Sequence, residues 1–566
     1  MEFPDSFRIF GLDARLPPVN SMLRHLLLLV LFPAISASAS QGKPPGPLTV
    51  AEKTNFTATS RVSDVIGFYR ALQQLSPQVR IEQLCVSAEG RAVPLVILGR
   101  PVPATPAEIR GDPRLVVYLQ ANIHAGEVEG KEAVQMLARD ILLRSEPSVL
   151  DRMIILIAPV FNADGNDRIS TENRKEQAGP VQGVGVRHNG QQLDINRDGV
   201  KAETPEMNGL IQNVLLRWDP DLVVDCHTTN GSYHDEPVTY SWGLNPNGDP
   251  DILAYLRDQI LPAVARTLRT THGFASLPYG EYADPRDPAK GWETFSHQAR
   301  YITNYVGLRN RFSILNENYS YADFKTRVYG CYAFLQSVLD QAGKNAGIIR
   351  SLVRQADRKA VLRGHAPSEK DSLAVEFSLT ALKEPVTIQG YEMESFRDST
   401  GRERLRKTDR KRVYTVPLLS AYTARKNVRF PTAYLVSAAD QNGVALLRRH
   451  GILVEKLSAP AVFDVQSFRV KELQAATRPY QGHYQVSLKG EFFAERKEFP
   501  AGTYLVPTGQ VLGVLAATLL EPESDDGLVT WNFLDRFLMP QWSQSFAPFP
   551  VSKLFTPVAV PREAVP

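Results

Sequence analysis

The sequence predicts an α/β domain with a mostly parallel or mixed sheet, followed by a smaller β-rich domain, and three observations carry that expectation. From about residue 50 to residue 345, short apolar runs alternate with amphipathic stretches of helical period. Four of those runs are Leu115-Val-Val-Tyr-Leu, Ile154-Ile-Leu-Ile-Ala-Pro-Val, Leu222-Val-Val-Asp and Phe312-Ser-Ile-Leu. They are apolar almost throughout, as strands buried on both faces are. Beyond about residue 370 the texture changes to alternating runs such as Ala374-Val-Glu-Phe-Ser-Leu and Val386-Thr-Ile-Gln-Gly-Tyr, separated by Gly, Pro and charged residues.

Taken in order, the chain starts with an N-terminal extension and a segment that reads as a secretory signal peptide, together residues 1–40. Met22-Leu-Arg-His-Leu-Leu-Leu-Leu-Val-Leu-Phe is a basic start followed by a short apolar run, and Ala37-Ser-Ala39 supplies small residues for cleavage. The run is shorter than the ~20 residues a membrane helix needs, so a secreted or periplasmic protein with no stable membrane insertion after cleavage is expected. A Pro/Gly-rich stretch at Gly42 precedes the helical periodicity of Val62 to Leu72. Residues 50–345 form the expected catalytic domain and 346–369 a helical linker, the last of a helical region that runs from 330 to 365. Residues 370–566 form the β-rich domain, within which Val444 to Arg449 reads as a helix stopped by Gly451 and followed by a strand.

A length of 566 residues exceeds one ordinary core, and 43% apolar with 22% charged residues is the composition of a folded globular protein. Sixty-four basic against sixty-one acidic residues, with no long single-sign block, leave no footprint for nucleic acid. Three dispersed cysteines cannot make a complete disulfide framework; one bridge can form and none is needed.

Each of the four strand runs ends in polar residues, and open α/β sheets bind ligands outside the carboxyl ends of their strands. His124-Ala-Gly-Glu127 sets an imidazole and a carboxylate three residues apart at one such end, where a tight turn can aim both at one ion. A catalytic zinc needs three protein ligands, and His227, about one hundred residues on, supplies the third in the short-pair, long-gap layout of His₂Glu sites. A water polarised there still needs a proton acceptor, and Glu317, ending the fourth run, is the candidate base. In Asp194-Ile-Asn196-Arg197 the Arg fork with its neighbouring Asn suits a carboxylate, and Asp194 can fix the tautomer of a ligating histidine. Arg174 can hydrogen-bond an oxyanion. His188, His234 and His297 have no ligand spacing. Trp531, Phe533 and Trp542 read as core rather than as a binding platform.

These residues resemble the zinc carboxypeptidase family typified by carboxypeptidase A. The resemblance lies in His124-x-x-Glu127, Asn162-Ala-Asp-Gly165, Arg174-Lys, Asp194-x-Asn-Arg197, Asp225-x-His-Thr228 and Glu317, in the family's order. Gly126-Glu-Val-Glu-Gly-Lys-Glu-Ala is similar to a bacterial branch with β-rich C-terminal extensions. The resemblance implies a carboxypeptidase-like α/β/α sandwich, one Zn²⁺ per chain and a peptide substrate. It also implies Glu317 as general base, Arg174 as oxyanion stabiliser, and Asn196 with Arg197 as the clamp on a free C-terminus. Digestive members carry Asn where Asp198 stands here, which adds negative charge near the clamp. The family's mobile tyrosine has two candidates, Tyr301 and Tyr305. A zinc-dependent deacylase of N-acyl amino acids or amides, and a non-catalytic binding protein on the same scaffold, are the alternative expectations.

Overall fold

Runs of Val, Ile and Leu that cannot be solvated on either face assemble into the centre of an eight-stranded sheet. The computed structural model describes residues 46–143, 148–538 and 545–565, which belong to one compact unit, Pro45–Pro566. The expected signal peptide and Trp542 lie outside the described residues. The first ten strands are β1 (Val79–Val86), β2 (Ala92–Leu98), β3 (Leu115–Ala121), β4 (Met153–Ala158), β5 (Leu222–Thr229), β6 (Val238–Trp242), β7 (Ser276–Pro278), β8 (Glu281–Tyr282), β9 (Trp292–Glu293) and β10 (Phe312–Tyr319). The sheet order is β1-β2-β4-β3-β5-β10-β6-β7. The four central strands β4, β3, β5 and β10 are parallel, while β2 and β6 join them antiparallel, so the sheet is mixed.

The helices Glu129–Leu143, Leu261–His272 and Phe324–Lys344 pack side by side in one layer. Side chains alternate across a strand, which sorts β5 and β10 into two faces. Cys226 lies beneath Gly130 of the first helix, and Asn316 accepts a hydrogen bond from Cys331 of the third. Asp225, His227, Leu315 and Glu317 therefore point to the opposite face. Both strands run past the apolar residues, to Thr229 and Tyr319, so His227 and Glu317 sit inside strands rather than beyond their ends. Polar side chains do not stop a strand whose backbone stays paired, and β5 and β10 remain in register through Thr229 and Tyr319.

The C-terminal strands are β11 (Ser372–Ala381), β12 (Val386–Arg397), β13 (Glu403–Val416), β14 (Leu418–Arg429), β15 (Ala433–Val436), β16 (Glu455–Leu457), β17 (Ala461–Ala475), β18 (Val486–Phe499), β19 (Tyr504–Pro507), β20 (Val551–Leu554) and β21 (Arg562–Ala564). They make a seven-stranded sheet, a two-stranded ribbon β12-β13, and a four-stranded sheet β11-β14-β9-β8. That last sheet joins the two halves of the chain, because Leu418 and Leu419 pair with Trp292 and Glu293. The helices Phe324–Lys344 and Ala346–His365 lead from one half to the other. Trp531 is buried, 1% exposed, with Lys201 4.8 Å and Arg300 4.7 Å from its ring.

Candidate metal centre and surrounding pocket

The turn after β3 begins with Asn122 at a φ of 65°, a conformation an Asn tolerates. Its side-chain amide donates to the carbonyls of Ala125 and Glu127, at 3.2 and 3.1 Å, and so ties the turn closed. His124 and Glu127 emerge from it on one side, with Nδ1 and Oε1 3.0 Å apart. Gly126 between them has no room for a side chain: a Cβ would lie 2.4 Å from Arg174 Cδ and 2.9 Å from the Gly185 carbonyl. His227 arrives from β5, its Nδ1 3.1 Å from Glu127 Oε2 and 3.3 Å from His124 Nδ1. All three side chains are buried.

The donor set fits a divalent metal. His124 Nε2 faces Asp194 Oδ1 at 3.0 Å and His227 Nε2 faces Asp225 Oδ2 at 2.8 Å, so each imidazole carries its proton on Nε2. Both Nδ1 lone pairs then face each other and the Glu127 carboxylate, an arrangement of acceptors that a cation resolves. Separations of 3.0, 3.1 and 3.3 Å are near the edge, roughly 3.3 Å, of a tetrahedron with metal–ligand distances of about 2.0–2.1 Å. The surrounding carboxylates draw positive charge to this point, whether a proton or a metal ion supplies it. Burial opposes the charge of Glu127, yet His124 and Arg174 hold its carboxyl well below the usual range. Burial would lower the His227 pKa, but Asp225 and Glu127 outweigh it and push it well up. Asp194, despite burial, is held down by His124 and Arg187. Asp225 is itself fixed by Gln120, whose amide donates to it at 3.1 Å.

Glu317 lies beside His227 because β5 and β10 pair in parallel with these two residues in register. Burial raises its carboxyl to about 8, partly offset by His227. Its Oε2 has no hydrogen-bond partner among the described residues. Arg174, at a φ of 48°, donates to Glu127 Oε1 at 2.9 Å and to the Thr228 carbonyl at 3.1 Å. Asn196 receives the Ile302 N–H on its Oδ1 at 3.1 Å, which leaves its amide N–H groups to face the pocket. Arg197 donates to the Asn196 carbonyl at 2.8 Å and lies 4.2 Å from the centre of the Tyr301 ring. His124, Glu127, Arg174, Asn196, Arg197 and Glu317 all line one cavity of about 190 Å³. Asp194 and His227 stand behind it.

Asp198 does not face this cavity. It is wholly buried against Lys201 at 2.8 Å and the Thr204 hydroxyl at 2.7 Å, so its charge is neutralised where the digestive members' Asn would stand. Of the two tyrosine candidates, Tyr301 lines the cavity, whereas Tyr305 is buried against His450 at 2.7 Å. The sequence reading missed Tyr279, which also lines it and whose phenol burial pushes well up, with Glu317 adding to the effect. It also missed Arg187, bonded to Asp194 at 2.8 Å. In sequence Arg187 is one more arginine of a glycine-rich loop, and nothing local separates it from Arg168 or Lys175.

Residues 65–327 match the family model described as zinc carboxypeptidase. Along almost its whole length the chain is similar to fungal proteins named carboxypeptidase 2. It is 21% identical over 538 residues to that of Trichophyton equinum, covering 89% of this chain and 90% of the relative. It is 21% identical over 526 residues to that of Trichophyton rubrum, with the same coverage. Among solved structures it is similar to a metallo-carboxypeptidase from Burkholderia cenocepacia, at 20% identity and a TM-score of 0.37 over 50% of this chain and 69% of that one. It is likewise similar to carboxypeptidase A from Helicoverpa armigera, at 15% identity and a TM-score of 0.38 over 52% and 75%. Residues 65–327, just under half of the chain, thus match the zinc carboxypeptidase family of peptide hydrolases, and the curated relatives extend that likeness over almost the whole chain.

Proposed function

We propose that the protein removes the C-terminal residue of peptides, with His124, Glu127 and His227 holding one zinc ion and Glu317 serving as the general base. The observation that carries this reading is the meeting, in one small cavity with His227 directly behind it, of His124, Glu127, an unpartnered Glu317 oxygen and the Asn196–Arg197 pair. Zinc, when bound, supplies a Lewis acid that polarises the scissile carbonyl and acidifies water. The protein's own groups do the rest. Arg197 and the Asn196 amide bind the terminal carboxylate and set the register of the peptide. Glu317 accepts the proton of the attacking water on Oε2 and returns it to the leaving amine. Arg174, held by Glu127 and the Thr228 carbonyl, offers N–H groups where negative charge develops on the carbonyl oxygen. Asp194 and Asp225 keep the ring protons on Nε2 so that both Nδ1 atoms stay available.

We further propose export from the cytoplasm, on the strength of the basic–apolar–small pattern at residues 22–39. Among the described residues no helix is long and apolar enough to cross a membrane. N-terminal sequencing of the mature protein tests this, and a mature start at Met1 would sink it.

The central test pairs elemental analysis with cleavage of a mixed peptide library and a panel of N-acyl amino acids. One zinc per chain and C-terminal trimming are expected. Glu317→Gln should lower kcat by on the order of 10²–10⁴ while zinc content is unchanged. Turnover of the N-acyl amino acids alone would transfer the site to a deacylase.

A further inference from the structure

The turn between β17 and β18 reaches the candidate site from the C-terminal sheet. Tyr480 and His483 pair across it, and Gln481 at its tip has a φ of 52°. Gln481 Oε1 accepts the backbone N–H of Asp194 at 2.8 Å, and Asp194 is the carboxylate that faces His124. One residue earlier, the Tyr480 side chain stands beside the Arg197 guanidinium, the same group that lies over Tyr301, and favours its charge. Tyr480 is braced from behind. Its ring stacks on Trp531 with centroids 6.4 Å apart and planes at 27°, and Arg300, paired with the buried Asp526 at 3.0 Å, lies 5.7 Å from its centre. His483 anchors the other side of the turn, with Glu203 at 2.9 Å and Asn532 at 3.1 Å.

A free arginine side chain samples many rotamers, and holding its fork in place beforehand lowers the cost of capturing a carboxylate. Tyr480 is 37% exposed, so its removal takes little from the core. We propose that Tyr480 is a positioning residue for Arg197, so that recognition of the peptide's terminal carboxylate is built in part by the C-terminal β-rich region, some 280 residues downstream of the clamp it serves. This rests on the carboxypeptidase reading of Arg197. It assigns the β17–β18 turn a part in the site.

The test uses the full-length, zinc-loaded protein carrying Glu317→Gln, and titrates one peptide in two forms, with a free C-terminal carboxylate and with a C-terminal amide. Adding Tyr480→Phe, which keeps the ring contacts and deletes the hydroxyl, should weaken the carboxylate form roughly three- to tenfold, the worth of one polar contact, and leave the amide form unchanged. In the active enzyme the same substitution should raise KM by that factor with kcat within about twofold, and should add nothing to Arg197→Ala, since the two act as one unit. Gln481→Ala, which unfastens the turn from Asp194, should give the same carboxylate-selective loss. Equal weakening of both peptide forms, or no change in either, would overturn the positioning role. If Arg197→Ala by itself leaves the preference for carboxylate over amide intact, the clamp reading falls, and this inference with it.

Discussion

At the residue scale the site depends on which nitrogen of each histidine is left free. Asp225 lies two residues before His227 on the same strand face and holds the His227 Nε2 proton at 2.8 Å. Asp225→Asn removes the charge that favours this tautomer, and the zinc dissociation constant should rise about 10- to 100-fold, measured by competition with a chelating dye. An unchanged constant would mean that ring orientation is set by packing alone. The sequence already displayed this aspartate, because a spacing of two in a strand puts both side chains on one face. It could not display the register of β5 against β10, which sets Glu317 beside His227, since that pairing joins residues ninety apart.

At the element scale the three-helix layer presses directly on the strand that carries His227. Gly130, in the helix Glu129–Leu143, has Cys226 under it, and a Cβ there would come within 2.7 Å of Cys226 Cβ and 3.3 Å of Ala121 Cβ. Gly130→Ala should therefore cost about 1–3 kcal/mol in a urea titration despite the better helix propensity of alanine. It should also weaken zinc binding, because β3 and β5 both feed the centre; a gain in stability would show that the helix shifts freely. The β17–β18 turn responds to pH instead. The hydrogen bond that His483 donates to Glu203 raises the His483 pKa, so protonated His483 is favoured in the folded state. The protonated ring stabilises fully below the unfolded value near ~6.5, and that contribution is lost as pH rises through the raised folded value. Thermal midpoints recorded across that window should fall for the parent more than for His483→Gln, with Lys201 opposing and Asp535 facing the same ring. Parallel curves for the two proteins would rule this out.

At the scale of the whole molecule, the two halves of the chain share a core. Leu277, Tyr282 and Trp292 are buried against Val386, Ile388, Val416 and Leu418, and Trp292 is wholly enclosed. A chain ended at residue 369 would expose that face, leave the β9 edge unpaired, and free Arg197 and Asp194 of Tyr480 and Gln481. We expect it to bind a hydrophobic dye and to unfold without a sharp calorimetric transition; a cooperative, zinc-binding fragment would show that the halves are independent. The four central strand runs and a set of candidate residues at or near their ends were legible in the sequence, because hydrophobic period and motif spacing are local properties that survive in one dimension. The packing of distant segments is what sequesters Asp198 against Lys201, buries Tyr305 while Tyr279 lines the cavity, and brings a turn near residue 480 to the segment of the proposed clamp near residue 196. Those outcomes depend on strand register and on packing between distant segments, where the free energy lies in contacts that no local pattern encodes.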